Sequence, residues 1–150
     1  MTALQHKRIC VIGLGLSGLA ASAWLRRRGA QVLAVDEADT ETLRRNASGL
    51  QTQGVEVRLG ADTLPKCELD LAVVSPGVPW TSPLLQELRR RQVPIIGELE
   101  LGFRYARCLS LAITGTNGKT TTTELVERLL TQNQIKTVAA GNIGDRKSVV

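Results

Sequence analysis

Two glycine-rich stretches carry residue types and spacings that could do chemistry. Gly115-Thr116-Asn117-Gly118-Lys119-Thr120-Thr121 follows an apolar run and opens a helical pattern. Gly-Lys-Thr in that setting reads as a phosphate loop. Backbone N–H groups would cradle β- and γ-phosphates, the Lys119 ammonium would offset their charge, and the Thr120 hydroxyl would reach Mg²⁺. The loop is shorter than a full Walker A, because Ile113 stands where the longer form has its first glycine. Turn chemistry would account for Gly115 and Gly118, but not for Lys119 followed by four threonines.

The second stretch, Gly13-Leu14-Gly15-Leu16-Ser17-Gly18, matches GxGxxG, and an acid, Asp36, ends the next strand-like run. The first glycine of such a turn permits the sharp bend, the second lets amides approach a pyrophosphate, and the third lets helix pack on strand. The helix that follows offers its N-terminal dipole to an anion. On its own this stretch favours a nucleotide or dinucleotide site over the plainer reading, a helix packed tightly on its strand.

Both stretches need strands to hold them and helices to follow them. Residues 8–12 form a short apolar run stopped by glycine, as in a buried parallel strand, and residues 17–28 have helical spacing with Gly29 just past the end. A second strand over 31–35 completes a βαβ unit. A short helix over 39–43 and strands over 55–58 and 69–74 follow. Ser82-Pro83 then starts a helix with Leu84, Leu85 and Leu88 as its buried stripe. A strand over 93–96 and a helix over 98–107 complete this part. Strands are expected again at 109–113 and 136–140, flanking a helix to about residue 130 whose Leu125, Leu129 and Leu130 point inward. Such alternation predicts an α/β fold with a Rossmann-like parallel sheet covered on both faces, then the first βαβ portion of a P-loop ATPase domain. The expected boundary separates 1–108 from 109–150.

Composition narrows the class. The chain has 150 residues, 43% hydrophobic and 22% charged, which suits a folded globular protein that needs no disulfide or metal staple. No apolar run approaches the roughly 20 residues of a bilayer span, and the polar start has no signal-peptide core, so a cytoplasmic protein is expected. Cys10, Cys67 and Cys108 are widely spaced and His6 is the single histidine, a pattern of neither a disulfide framework nor a zinc site. The net charge of +5 is spread along the chain. Its arginine runs, 26–28 and 89–91, fall at helix ends, where cations complement the dipole, and four aromatic rings offer little for base stacking. No nucleic-acid partner is expected.

Five stretches together resemble the Mur ligases of peptidoglycan synthesis. They are Ile-Gly-Leu-Gly-Leu-Ser-Gly-Leu-Ala at 12–20, Ser-Pro-Gly-Val at 75–78, Gly-Glu-Leu-Glu at 97–100, Ile-Thr-Gly-Thr-Asn-Gly-Lys-Thr-Thr at 113–121 and Gly-Asn-Ile-Gly at 141–144. The glycine-rich N-terminal loop combined with Asn117 is most similar to the D-glutamate-adding branch. The resemblance implies that the first domain holds the UDP end of UDP-N-acetylmuramoyl-L-alanine rather than NAD. Leu16, Ser17, Asp36, Glu37, Ser75, Pro76 and Gly77 would be the contacts, and Asn142 would reach toward the muramoyl part. ATP and Mg²⁺ would sit on Gly115, Thr116, Asn117, Gly118, Lys119, Thr120 and Thr121, with Lys119 catalytic and Thr120 on the metal. An acyl phosphate of the substrate would then be attacked by D-glutamate, in a monomeric enzyme.

Residues 145–150 depart from that family, which continues Gly-Asn-Ile-Gly with a variable residue and then Pro-Leu, and the domains expected further along are not in these 150 residues. The stretch is therefore expected to have no ligase activity by itself, and its part after residue 108 to be weakly stable or packed on a domain. Two other readings stay open on the residues alone. One is a nicotinamide-dependent oxidoreductase or NAD-sensing domain built on Gly13 to Asp36; the other is a scaffold module that binds no nucleotide.

Overall fold

Ile9, Cys10, Val11 and Ile12 are apolar on both sides of their strand, and all four are buried, which requires helices or loops on both faces of the sheet. The computed structural model describes residues 4–140 and meets that requirement. Five strands, β1 (Arg8–Ile12), β2 (Gln31–Asp36), β3 (Glu56–Leu59), β4 (Leu71–Val74) and β5 (Ile95–Gly97), pair in parallel in the order β3-β2-β1-β4-β5. Helices α1 (Leu16–Arg27), α2 (Glu41–Thr52), α3 (Pro83–Arg90), α4 (Glu98–Tyr105) and α5 (Lys119–Gln132) connect or follow them. The chain passes from β3 across to β4 on the far side of β1, so β1 and β4 flank the point where strand order reverses.

Alternation of side chains along the central strands divides the core into two layers. Ile9, Val11, Val32 and Ala34 face Leu25 of α1, Leu50 of α2 and Leu101 of α4, with Trp24 and Tyr105 closing the edge at 5.1 Å between rings. Cys10, Ile12, Leu33 and Val35 face the opposite way, against Leu64 and the Leu84, Leu85 and Leu88 stripe of α3. Burial pushes the Cys10 thiol up to about 12.

Several elements differ from the sequence expectation. Helix α2 extends to Thr52 rather than stopping at residue 43, because Thr40 caps it through the Leu43 amide at 3.3 Å and Ala47 and Leu50 bury a stripe that intervening polar residues disguise. Ser82 occupies the cap position of α3, yet its hydroxyl donates to the Glu37 carboxylate and makes no cap bond. The arginine runs are more engaged than solvated helix ends. Arg28 lies over Trp24 at 4.8 Å, Arg89 lies over Trp80 at 5.2 Å, and Arg91 donates to the Pro65 and Leu64 carbonyls at 2.7 and 3.1 Å.

The fold divides into one unit over Met1–Ala106 and a second beginning at Arg107. In the second, the strands expected at 109–113 and 136–140 do not form, and α5 buries none of its residues. Leu125 and Leu129 are more than half exposed rather than inward-facing. A strand needs a neighbour for its N–H and C=O groups, and two short segments with one helix supply too little apolar surface to hold a ladder. Segment 135–140 is tied instead by the Ala139 amide, which donates to Glu127 at 2.9 Å.

Two outcomes follow for the first unit. The Ser22 hydroxyl in α1 is fully buried with no hydrogen-bonding partner. Ser22→Ala should therefore leave stability unchanged or raise it by up to about 1 kcal/mol in urea denaturation. Asp70 clamps the start of β1, accepting from Lys7 Nζ and the Arg8 amide, each at 2.8 Å; these bonds hold its carboxyl below its ordinary value of 3.8. A depressed carboxylate stabilises the fold above its unfolded pKa and loses that contribution as pH falls through the folded one. The wild type should thus lose more stability than Asp70→Asn between about pH 5 and pH 2, read by denaturation at each pH.

Candidate functional site

The carboxyl end of β1 is built around close backbone approach. Gly13 donates its amide to the Val35 carbonyl at 2.9 Å and turns with φ +86°. A Cβ at Gly18 would lie 1.8 Å from the Gly13 carbonyl oxygen, so only glycine lets α1 start this close to β1. Gly15, by contrast, has open space where a Cβ would be and caps α1 without a side-chain bond. The first intrahelical bond is Leu19 N–H to Gly15 C=O at 3.0 Å, which leaves the amides of Leu16, Ser17 and Gly18 for an external acceptor. Leu16 is 89% exposed beside them.

The acid at the end of β2 does a different job from a ligand contact alone. Asp36 accepts the Leu14 amide at 2.7 Å on one oxygen and the Ala38 amide at 2.9 Å on the other, locking the glycine turn to the next loop. Ser75, buried at the end of β4, donates its hydroxyl to the Gly13 carbonyl at 3.1 Å and its amide to Ile12 at 2.9 Å. A turn closed by Val78 N–H to Ser75 C=O, at 3.1 Å, leaves Pro76 and Gly77 exposed. Glu37 is exposed and receives the buried Ser82 hydroxyl. The candidates from the first unit are therefore brought together at the ends of β1, β2 and β4. Sequence reasoning missed Ser82 and Val78, whose Cγ2 would be 2.7 Å from a Cβ at Gly13. The sequence reads Ser82 as a helix cap and Val78 as part of the Ser-Pro-Gly-Val stretch, and neither reading points to these contacts.

In the second unit, Gly118 caps α5 in the left-handed region at φ +75°, and Thr122 N–H to Gly118 C=O, at 2.9 Å, is the first helical bond. The amides of Lys119, Thr120 and Thr121 precede it and have no intrahelical acceptor. Lys119 Nζ donates to the Gly115 and Thr116 carbonyls at 2.5 and 3.3 Å, which arches the ammonium over the loop. Asn117, Thr120 and Thr121 are exposed around it. Helix-start amides and an ammonium thus lie together on one exposed loop with Thr120 and Thr121 beside them, groups of the kind that hold phosphate oxygens. Among the described residues no three His, Cys, Asp or Glu side chains cluster as a separate metal centre. Asn142 lies outside the described residues.

A parallel sheet with a glycine turn at its switch point, and a Gly-Lys-Thr loop at a helix start further along the chain, make this an α/β protein with two phosphate-type loops. Residues 7–97 match the family described as Mur ligase MurD-like, N-terminal domain, and residues 113–148 match the Mur ligase middle domain. The chain belongs to the Mur ligase family.

Among its relatives, the UDP-N-acetylmuramoylalanine–D-glutamate ligase of Acidobacterium capsulatum is 46% identical over 94% of this chain. The enzyme of the same name from Synechocystis is 45% identical over 90%. This chain spans 31% and 30% of their lengths. Among solved structures, UDP-N-acetylmuramate-alanine ligase from Thermotoga maritima shares the fold over 86% of this chain and 30% of its own, at 24% identity and a TM-score of 0.58.

The contact between Gly18 and Gly13 gives a direct test. Gly18→Ala must push α1 off β1 and should destabilise the first unit by about 2 kcal/mol or more, measured by urea denaturation. Gly15→Ala, where there is room, should cost far less.

Proposed function

We propose that this chain supplies the UDP-substrate-binding domain and the ATP phosphate loop of an ATP-dependent ligase. That enzyme adds D-glutamate to UDP-N-acetylmuramoyl-L-alanine in peptidoglycan synthesis. The observation that carries the reading is the pair of phosphate-type loops, in order, within the stretches that match the N-terminal and middle domains of Mur ligases. D-glutamate as the added amino acid rests on the names of relatives at 38–46% identity.

In this reading, residues 1–108 hold the nucleotide-sugar and residues 109–150 begin the ATP domain. The α1 amides of Leu16 and Ser17 receive the diphosphate of UDP, a task that a helix start performs without a side-chain cation. Asp36 and Glu37 contribute to the uridine and pyrophosphate contacts, Ser75, Pro76 and Gly77 lie beside them, and Asn142 reaches toward the muramoyl part. Because both oxygens of Asp36 already hold backbone amides, its main work is to keep the turn in shape for whatever lies on it.

When bound, ATP with Mg²⁺ would supply its γ-phosphoryl group to the alanyl carboxylate with release of ADP, and the amine of D-glutamate would then displace phosphate from that acyl phosphate to form the amide. Lys119 contributes by neutralising phosphate charge, Thr120 by offering its hydroxyl to the metal, and the α5 amides by aligning the phosphates. This is catalysis by positioning and charge stabilisation. The reaction belongs to a monomeric cytoplasmic enzyme in this proposal; among the described residues, no helix is long and apolar enough to cross a membrane.

Titration followed by amide NMR separates this reading from a nicotinamide-binding one. UDP-N-acetylmuramoyl-L-alanine should shift the amides of Gly13 to Gly18, whereas NAD should leave them in place. NAD binding without a response to the UDP ligand would overturn the proposal. Lys119→Ala should weaken ATP by about tenfold or more, about 1.4 kcal/mol, while UDP-ligand affinity stays unchanged.

A further inference from the structure

Both glycine loops lie where strands or strand-like runs end; a different concavity lies where the strands of the sheet begin. Residues 60–70, which join β3 to β4, form no helix. On the α3 side of the sheet, Leu64 of this irregular loop joins the α3 leucines over Leu33 and Val35, and no helix lies between β3 and β4 to cover the strand starts. Register places Arg8 beside Gln31, Leu33 beside Glu56 and Val35 beside Arg58. Alternation then sets Arg8, Gln31, Glu56 and Arg58 on the same face as buried Cys10. A cleft of about 440 Å³ opens across the strand starts, lined by Arg8, Gln31, Glu56, Arg58 and Cys67 from this side and by Arg26 of α1 from the other. That size lies within the roughly 300–1,000 Å³ range of small-molecule sites.

The charge in this cleft is unbalanced. Three arginines line it with one carboxylate residue, Glu56, and that carboxylate is held by Arg58 at 2.8 and 3.0 Å. Arg26 is fixed from behind, its Nε donating to the Gln53 carbonyl at 2.9 Å and one Nη to the Ala30 carbonyl at 3.5 Å. Its other Nη lies against Gly54, only 3.0 Å from where a Cβ would be. The Arg8 guanidinium has no hydrogen-bonding or ionic partner among the described residues, although the Arg8 backbone is clamped by Asp70. Like charges gathered in a concave, partly walled space raise the local positive potential, and a guanidinium fork suits phosphoryl oxygens.

We infer that this cleft is an anion-binding site separate from both glycine loops, and that it takes a compact multivalent oxyanion of the pyrophosphate or polyphosphate kind. Such an anion would bridge Arg8 and Arg26, with Arg58 turning from Glu56 toward it and Gln31 donating from the floor.

Cys67 is the reporter. It lines the cleft and is half-buried, while Cys10 is fully buried with its thiol pushed up to about 12, so in a Cys108→Ser, Lys119→Ala background a neutral thiol reagent reads Cys67 alone. Inorganic pyrophosphate should slow labelling of Cys67 in a saturable way. Arg8→Gln with Arg58→Gln should require at least about tenfold more pyrophosphate for the same protection. Arg58→Gln alone, at an exposed position, should show an intermediate shift and serves if the double variant does not fold. The absence of protection in the parent, or equal protection in the Arg58→Gln variant, would overturn the inference.

Discussion

The close approach of α1 to the Gly13 carbonyl is the constraint on which the first unit depends. With a Cβ at residue 18 only 1.8 Å from that oxygen, the helix can begin where it does solely because residue 18 has no side chain. That start sets the direction of the first-turn amides, and with them the position of the anion end of the helix dipole. It also sets how deeply Ala21 and Leu25 enter the layer formed by Ile9 and Val11. Asp36, Ser75 and Ser82 then hold the neighbouring loops to the turn, so that three strand ends act as one rim.

Much of this was legible in the sequence because periodicity and glycine spacing are local signals. The β1, α1, β2 unit and the leucine stripe of α3 could be read from side-chain pattern alone, and the parallel sheet followed from their alternation. The extent of α2 could not, since Arg44, Arg45, Asn46 and Ser48 interrupt its apolar face and only the packing of Ala47 and Leu50 reveals it. The roles of Asp36 and Ser75 were half legible. Spacing put them at the site, but whether a carboxylate or hydroxyl points to a ligand or to the backbone is settled by three-dimensional neighbours. The cleft at the strand starts gave no motif, as Arg8, Arg26 and Arg58 come together only through sheet register.

The two units show opposite balances of local and non-local stabilisation. In the first, apolar runs find partners on both sides and the polar groups of the turns are satisfied by one another. In the second, α5 begins with a loop shaped by Gly118 and Lys119, yet its Leu125 and Leu129 are exposed and its flanking segments lack a ladder. A phosphate loop is thus compatible with a helix that lacks a packed face, because its geometry comes from backbone conformation within a few residues. The apolar stripe, by contrast, answers only to distant partners.

The placement of β1 at the centre of the sheet has a consequence for how the chain reaches its fold. Ile9 pairs with Val32 on one side, a partner made soon after it, but with Leu71 on the other, made much later. As the polypeptide emerges, β1, β2 and β3 with their two helices can assemble while the far edge of β1 still has unpaired N–H and C=O groups. Those groups find partners only when β4 arrives, and joining β4 to β1 closes a much longer loop than joining β2 does, at a correspondingly larger entropy cost. The Asp70 clamp, sixty-two residues from Arg8 in sequence, then acts as the latch that seats the late strand in register.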